Sequence, residues 1–239
     1  MLRTDLAKGL TSPTSPYVDT VVKIGGGVLA HADAFAAALA TLAAAARGQR
    51  LLVVPGGGPF ADTVRDVDRR MVLSDSAAHW MAVLAMEQYA HLIATQVAGA
   101  RLAENPSEIV AAFRADHVPV LAPYRWLRAA DPLPHSWNVT SDSIAAWISG
   151  VVGARRLVLV KPPGVHLDQT APTRKNEAAA AGRPGDGVLD AYFDRALPHH
   201  VKPIVVPSDQ LETLRGALTG SIDDRTPSDL YESPRPCLP

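Results

Sequence analysis

Thr20-Val21-Val22-Lys23-Ile24 runs into Gly25-Gly26-Gly27, and 31 residues later Leu51-Leu52-Val53-Val54-Pro55 runs into Gly56-Gly57-Gly58. Each run is aliphatic or β-branched without polar alternation, as a strand buried on both faces should be. Each triplet opens a helical stretch. Glycine lets a backbone approach a ligand closely, and the amides at a helix start attract anions. Two such turns on neighbouring strands suit a phosphoryl donor facing its acceptor, since phosphoryl transfer is catalysed mostly by positioning and by stabilising charge on the moving oxygens. One triplet alone would be as well explained by a tight strand-to-helix turn. Lys23 sharpens the pair: among apolar neighbours at a strand end, it either snorkels to solvent or points its charge into the glycine-lined cleft.

Two standard glycine signatures compete with this reading. No Lys-Ser or Lys-Thr follows either triplet, so the Walker pattern is absent. Gly56-Gly57-Gly58-Pro59-Phe60-Ala61 does satisfy the G-x-G-x-x-A dinucleotide pattern. The acidic residue at the expected distance, Asp75, precedes a long helical pattern and ends no strand, which ranks that reading second.

The chain has 239 residues, 47% of them hydrophobic and 20% charged, with a net charge of −1. That is a globular composition able to bury a full core. The basic residues are spread along the chain, so no nucleic-acid partner is expected. There is no apolar run of membrane-spanning length, and no leader-like apolar stretch precedes Pro13 and Pro16. Cys237 is the single cysteine, which excludes an internal disulfide and favours a cytoplasmic setting.

Strands are expected at 18–24, 50–54, 118–121, 156–161 and 203–206, and helices at 31–47, 60–70, 75–98, 106–115, 142–152, 188–196 and 208–218. The proline-rich stretch from Pro123 to Trp137 reads as loop, and 162–187, rich in Ala, Pro and Gly, as a long mobile loop. The helix at 75–98 carries apolar residues on more than one side, which makes it a central core helix or a subunit contact. Strands alternating with helices imply a three-layer αβα sandwich around a mainly parallel sheet, with ligands at the carboxyl ends of the strands. The expected organisation is a flexible N-terminal segment at 1–17, a single domain at 18–218 and a tail at 219–239.

Val22-Lys23-Ile24-Gly25-Gly26, Val54-Pro55-Gly56-Gly57-Gly58 and Thr140-Ser141-Asp142-Ser143-Ile144-Ala145-Ala146, in that order, resemble the amino acid kinase family, which includes acetylglutamate, aspartate, uridylate and isopentenyl phosphate kinases. Leu73-Ser74-Asp75, the run Ala78 to Tyr89, and Asp190-Ala191-Tyr192-Phe193 look most like the branch that phosphorylates 5-(aminomethyl)-3-furanmethanol phosphate in methanofuran-type cofactor synthesis. The resemblance covers about 18–218 and thins from 162 onward. It implies an acceptor-binding half over about 18–155 and a nucleotide-binding half over about 156–218.

That resemblance implies an ATP- and Mg2+-dependent kinase acting on a small phosphate- or carboxylate-bearing substrate, as a homo-oligomer. Lys23 and Asp142 would be the catalytic pair, Lys23 neutralising the transferring phosphoryl group and Asp142 orienting the lysine. The amides of Gly25, Gly26 and Gly27 would hold nucleotide phosphates. Gly56, Gly57 and Gly58 would hold the acceptor, with Arg65, Arg69 or Arg70 within reach of an acceptor phosphate. No protein-held metal is implied. Without the other motifs Asp142 reads as a helix-capping carboxylate, and His79 as a satisfied core histidine.

Two departures fall in the nucleotide half. Lys161-Pro162-Pro163-Gly164-Val165 stands where relatives carry an Asp-Gly turn, and Ser221-Ile222-Asp223-Asp224 where they carry Gly-Thr. Lys161 or Lys175 would supply a second cation, with Lys161 assigned to the nucleotide. The alternative function is a non-catalytic member of the fold that binds an anion or metabolite. Lost nucleotide motifs favour that alternative; Lys23 and Asp142 favour the enzyme.

Overall fold

A computed structural model describes residues 18–165 and 188–220. Expectations about 1–17, about 166–187 with Lys175, and about the tail from 221 with Cys237 lie outside the described residues. In chain order the strands are β1 (Thr20–Ile24), β2 (Leu51–Pro55), β3 (Ala100–Ala103), β4 (Val118–Leu121), β5 (Arg156–Lys161) and β6 (Lys202–Pro207). The helices are α1 (Ala32–Ala45), α2 (Gly58–Met71), α3 (Asp75–Gln96), α4 (Pro106–Arg114), α5 (Tyr124–Ala130), α6 (Ser141–Val151), α7 (Phe193–Ala196) and α8 (Leu211–Thr219), with a 3-10 turn over Gly26–Ala30.

The strands form one six-stranded sheet in the order β3-β4-β2-β1-β5-β6, and every pairing is parallel. The two strands that open on glycine triplets are neighbours, and every residue in both is buried. Successive strand residues alternate between faces, which splits the core in two. Val21, Leu52, Leu157 and Leu159 pack with Ile109, Ile144, Ile148 and Phe193. Val22, Ile24, Val53 and Val158 pack with Leu39, Leu42, Leu214 and Leu218. The all-round apolar pattern of α3 has its explanation here: Trp80, Val83 and Met86 enter the first core, and Tyr89, Ala90 and Ile93 the second.

Several elements differ from the sequence reading. β3 (Ala-Arg-Leu-Ala) lies at the sheet edge with only Ala103 fully buried and Arg101 exposed, so no continuous apolar run marks it. The Pro123–Trp137 stretch contains α5, because its prolines fall outside the helix: Pro123 takes the N-cap and Asp131 ends it in the left-handed region at φ 41°. The helix expected at 188–196 shrinks to Phe193–Ala196. The last helix begins at Leu211 rather than 208, after Ser208-Asp209-Gln210. None of the described helices is long and apolar enough to cross a membrane.

Candidate active site

The site follows from strand register. Lys23 shares a face of β1 with Val21, and Lys161 shares a face of β5 with Leu157 and Leu159, so both point toward α6. Lys23 pairs with Leu159, which places Lys161 two residues further along the neighbouring strand. Asp142 sits in the first turn of α6, behind the N-cap Thr140. Lys161 Nζ donates to Asp142 Oδ2 at 2.8 Å. Lys23 Nζ stands 2.8 Å from Oδ1, an ion pair without the alignment of a hydrogen bond. All three side chains are buried, with residue exposures of 4% (Lys23), 5% (Asp142) and 9% (Lys161).

Two ammonium groups and one carboxylate leave an excess positive charge in a low-dielectric setting, where an unpaired charge is costly. Burial alone would raise the Asp142 carboxyl, but the charges of Lys23 and Lys161 and the hydrogen bond from Lys161 outweigh it and hold it below its ordinary range. Burial pushes the Lys161 ammonium down and Lys23 pushes it further, while Asp142 and Asp190 hold it up; it settles at about 8.

The glycine triplets meet backbone to backbone. A side chain on Gly26 would place its Cβ 2.3 Å from Gly58 N, and one on Gly56 would come within 2.7 Å of Gly26 N. Gly58 also adopts φ +58°, a conformation that side chains resist. The triplets divide their roles. Gly25 N–H donates to Val160 O and Gly56 N–H to Ile24 O, both at 2.8 Å, so these two join the turns to the sheet. Gly26, Gly27, Gly57 and Gly58 line a cavity of about 240 Å3 together with Lys23. Asp142 and Lys161 stand behind Lys23 and are not among its lining residues.

Arg65 reaches the cavity, pairs with Asp62 at 2.8 Å and lies over the Trp137 ring at 5.0 Å. Arg69 and Arg70 bond to Asp66 instead, beside a separate hollow. Sequence reasoning missed Trp137, whose Nε1 donates to Asp68 Oδ2 at 2.7 Å; no local pattern signals such a pair. His79 is half-buried on the cavity wall and stacks on His135 with centroids 4.4 Å apart. Burial first, and His135 second, lower its pKa to about 4 against the opposing pull of Asp131, so it is neutral at pH 7. His135 is itself held by Asp131 at 2.9 Å.

A model of the amino acid kinase family matches residues 20–168, which contain both triplets, both lysines and Asp142. The chain belongs to the amino acid kinase family. Among family members it is similar to the (5-(aminomethyl)furan-3-yl)methyl phosphate kinase of Methanocaldococcus jannaschii, 27% identical over 139 residues, 58% of this chain and 63% of that protein. The match thus spans less than two thirds of that relative. Among solved structures, uridylate kinase from Archaeoglobus fulgidus superposes with a TM-score of 0.61 at 17% identity, over 85% of this chain and 96% of that one. Aspartate kinase from Synechocystis superposes with a TM-score of 0.56 at 16% identity, over 80% of this chain and 38% of that one. At such identities these likenesses establish the amino acid kinase fold, with its six-stranded parallel sheet, and nothing about substrates.

Proposed function

We propose that this amino acid kinase transfers the γ-phosphoryl group of ATP to a small phosphorylated metabolite that carries an amine, yielding ADP and a diphosphate. The observation that carries the reading is the buried Lys23–Asp142–Lys161 cluster, with its excess positive charge, beneath two touching glycine turns. An oxygen of the acceptor phosphate attacks the γ-phosphorus, the bond from that phosphorus to the β-bridging oxygen breaks, and the electron pair leaves with ADP. The acceptor is already anionic, so no strong general base is required.

Gly26 and Gly27 form the donor cradle, where a Cβ on Gly27 would fall 2.9 Å from Pro162 Cγ. Lys23 takes up the charge of the moving group, and Lys161 supports it from behind through Asp142. Gly57, Gly58 and Arg65 face the acceptor phosphate. Asp62 and Asp75 on the same cavity wall supply negative charge for an amine. Among the described residues no carboxylate and histidine group could hold a metal, and both Asp142 oxygens face lysines. Mg2+ would therefore enter on the nucleotide's phosphates, where it neutralises charge.

The acceptor class rests on the aminomethylfuran phosphate named for the similar Methanocaldococcus jannaschii protein. ADP release is measured with Mg-ATP and (5-(aminomethyl)furan-3-yl)methyl phosphate, UMP or aspartate in turn. The expected result is turnover with the first and little with the others. ADP release with none of them, together with a thermal midpoint raised by the furan phosphate and unmoved by Mg-ATP, favours the non-catalytic binding protein.

A further inference from the structure

The first turn of α6 is held from a distant part of the chain. The opening amides of a helix have no partner inside it. Here Asp190, 47 to 50 residues further on, supplies them: its Oδ2 accepts from Thr140 N at 2.9 Å, Thr140 Oγ1 at 2.7 Å and Ser143 N at 3.0 Å. Its Oδ1 accepts from Ser143 Oγ and, at 3.2 Å, from Tyr192 N. Thr140 Oγ1 in turn accepts from Asp142 N at 3.5 Å, so a continuous path of hydrogen bonds runs from Asp190 to the backbone of Asp142. The strap is anchored beyond Asp190 as well, since Tyr192 N donates to Asn138 O at 3.2 Å and the Phe193 side chain is buried.

Asp142 lies between the two residues that Asp190 grips, and its oxygens must meet two lysines fixed on two different strands. A local cap would satisfy the amides equally well. A carboxylate delivered from outside α6 also fixes where that helix begins relative to the sheet. We infer that Asp190 is a positioning residue that locks the first turn of α6 so that the Asp142 carboxylate meets Lys23 and Lys161 together. Its negative charge adds to the effect: Lys161 faces Lys23 of β1 and Asp142 of α6, and Asp190 is the further charge that helps keep it protonated. Only the kinetic part of this inference rests on the proposed kinase reaction.

The test uses the full chain with Asp190→Asn, which keeps the size and removes the charge. Three quantities are read: hydrogen exchange of amides 140–144, the titration of Lys161 by NMR of labelled lysine carbons, and kcat against KM with Mg-ATP. With unchanged far-UV circular dichroism, the expected result is faster exchange confined to the first turn of α6, a Lys161 transition moved to lower pH, and a kcat lower by on the order of tenfold, as for lost supporting partners elsewhere. KM for ATP should stay near wild type. Faster exchange with an unmoved Lys161 transition would make Asp190 a helix cap only and overturn the inference; so would no change in either.

If Asp190→Asn does not fold, Ser143→Ala removes one donor and no charge. Faster exchange at 140–144 with lowered kcat then supports the inference, and faster exchange with full kcat overturns it. If wild-type protein forms no ADP with any acceptor, the kinase reading falls, while exchange and lysine titration still decide the role of Asp190.

Discussion

The floor and the wall of the cavity are built on different principles. The floor is set by register: Lys23 and Lys161 come from adjacent parallel strands whose every pairing is fixed, and the glycine turns at the ends of β1 and β2 touch backbone to backbone. The wall is set by side chains bridging α2, α3 and the 131–140 loop: Arg65 over Trp137, Trp137 to Asp68, and His79 on His135. The floor is buried, while the wall is half-buried and polar. On the proposed reaction, the contrast assigns the chemistry of transfer to the rigid sheet and the choice of acceptor to a surface that can vary without disturbing it.

The largest effect expected on the floor is from Lys23→Met. Loss of a charge that stabilises the transition state costs on the order of 100- to 1,000-fold in kcat. The protein should still fold, because Asp142 keeps Lys161 as its partner. Asp142→Asn is expected to act differently, leaving two buried ammonium groups without a carboxylate. Removing one partner from a buried ion pair costs about 3–5 kcal/mol. The sequence alone suggests that asparagine would preserve the helix cap, but the capping residue is Thr140 and Asp142 stands two positions inside it. Thermal unfolding and turnover, measured together, should show both stability and activity reduced in Asp142→Asn, and activity alone in Lys23→Met.

The next effect is one of pH. The folded-state pKa of Lys161, about 8, lies below its ordinary value of 10.5, so between those values the unfolded chain binds more protons. The protonated lysine therefore costs stability below about pH 8, and this cost is relieved as pH rises from about 8 to 10.5. Activity should run the other way, with kcat/KM falling on an alkaline limb near pH 8 as the second cation discharges. That limb belongs to the coupled cluster rather than to one lysine. Lys161→Met should lower the plateau and remove the limb; a limb that persists there would assign it elsewhere.

Smaller effects are expected on the wall. Trp137→Ala should raise KM for the acceptor by about tenfold with little change in kcat, since it loses binding surface and a hydrogen bond worth about 1 kcal/mol. An equal loss of kcat would show that wall and floor are not separable. Away from the cavity, Met71 and Val72 are 69% and 85% exposed, and Val72 adopts φ 51°, where a β-branched residue is strained. The expected homo-oligomer would cover them, and Val72→Asp should then shift sedimentation toward monomer. An unchanged sedimentation profile would place the contact elsewhere.

The floor was legible in the sequence and most of the wall was not. Apolar runs ending in glycine triplets declare buried parallel strands, and a lysine inside such a run has few places to go. The sequence offers Lys161 and Lys175 alike as a second cation; only the two-residue offset between β1 and β5 brings Lys161 to Asp142. Gly25 and Gly56 look like their neighbours in sequence, yet their amides belong to the sheet, a distinction that only pairing reveals. Asp190 was visible as part of a motif, but its partners lie 47 to 50 residues earlier, beyond any local pattern. The same holds for Trp137 and Asp68, 69 residues apart. The edge strand β3 and the proline-flanked α5 were missed because neither carries the period that marks buried elements.

The most direct test of the central claim, that Lys23, backed by Asp142 and Lys161, forms the floor on which a phosphoryl group is passed between two phosphates, is phosphorus NMR of the wild-type chain with Mg-ATP and (5-(aminomethyl)furan-3-yl)methyl phosphate, run beside Lys23→Met. The account predicts a new diphosphate product, formed in step with ADP by the wild type and not by the variant. ADP with only inorganic phosphate, or equal diphosphate from both proteins, would contradict it.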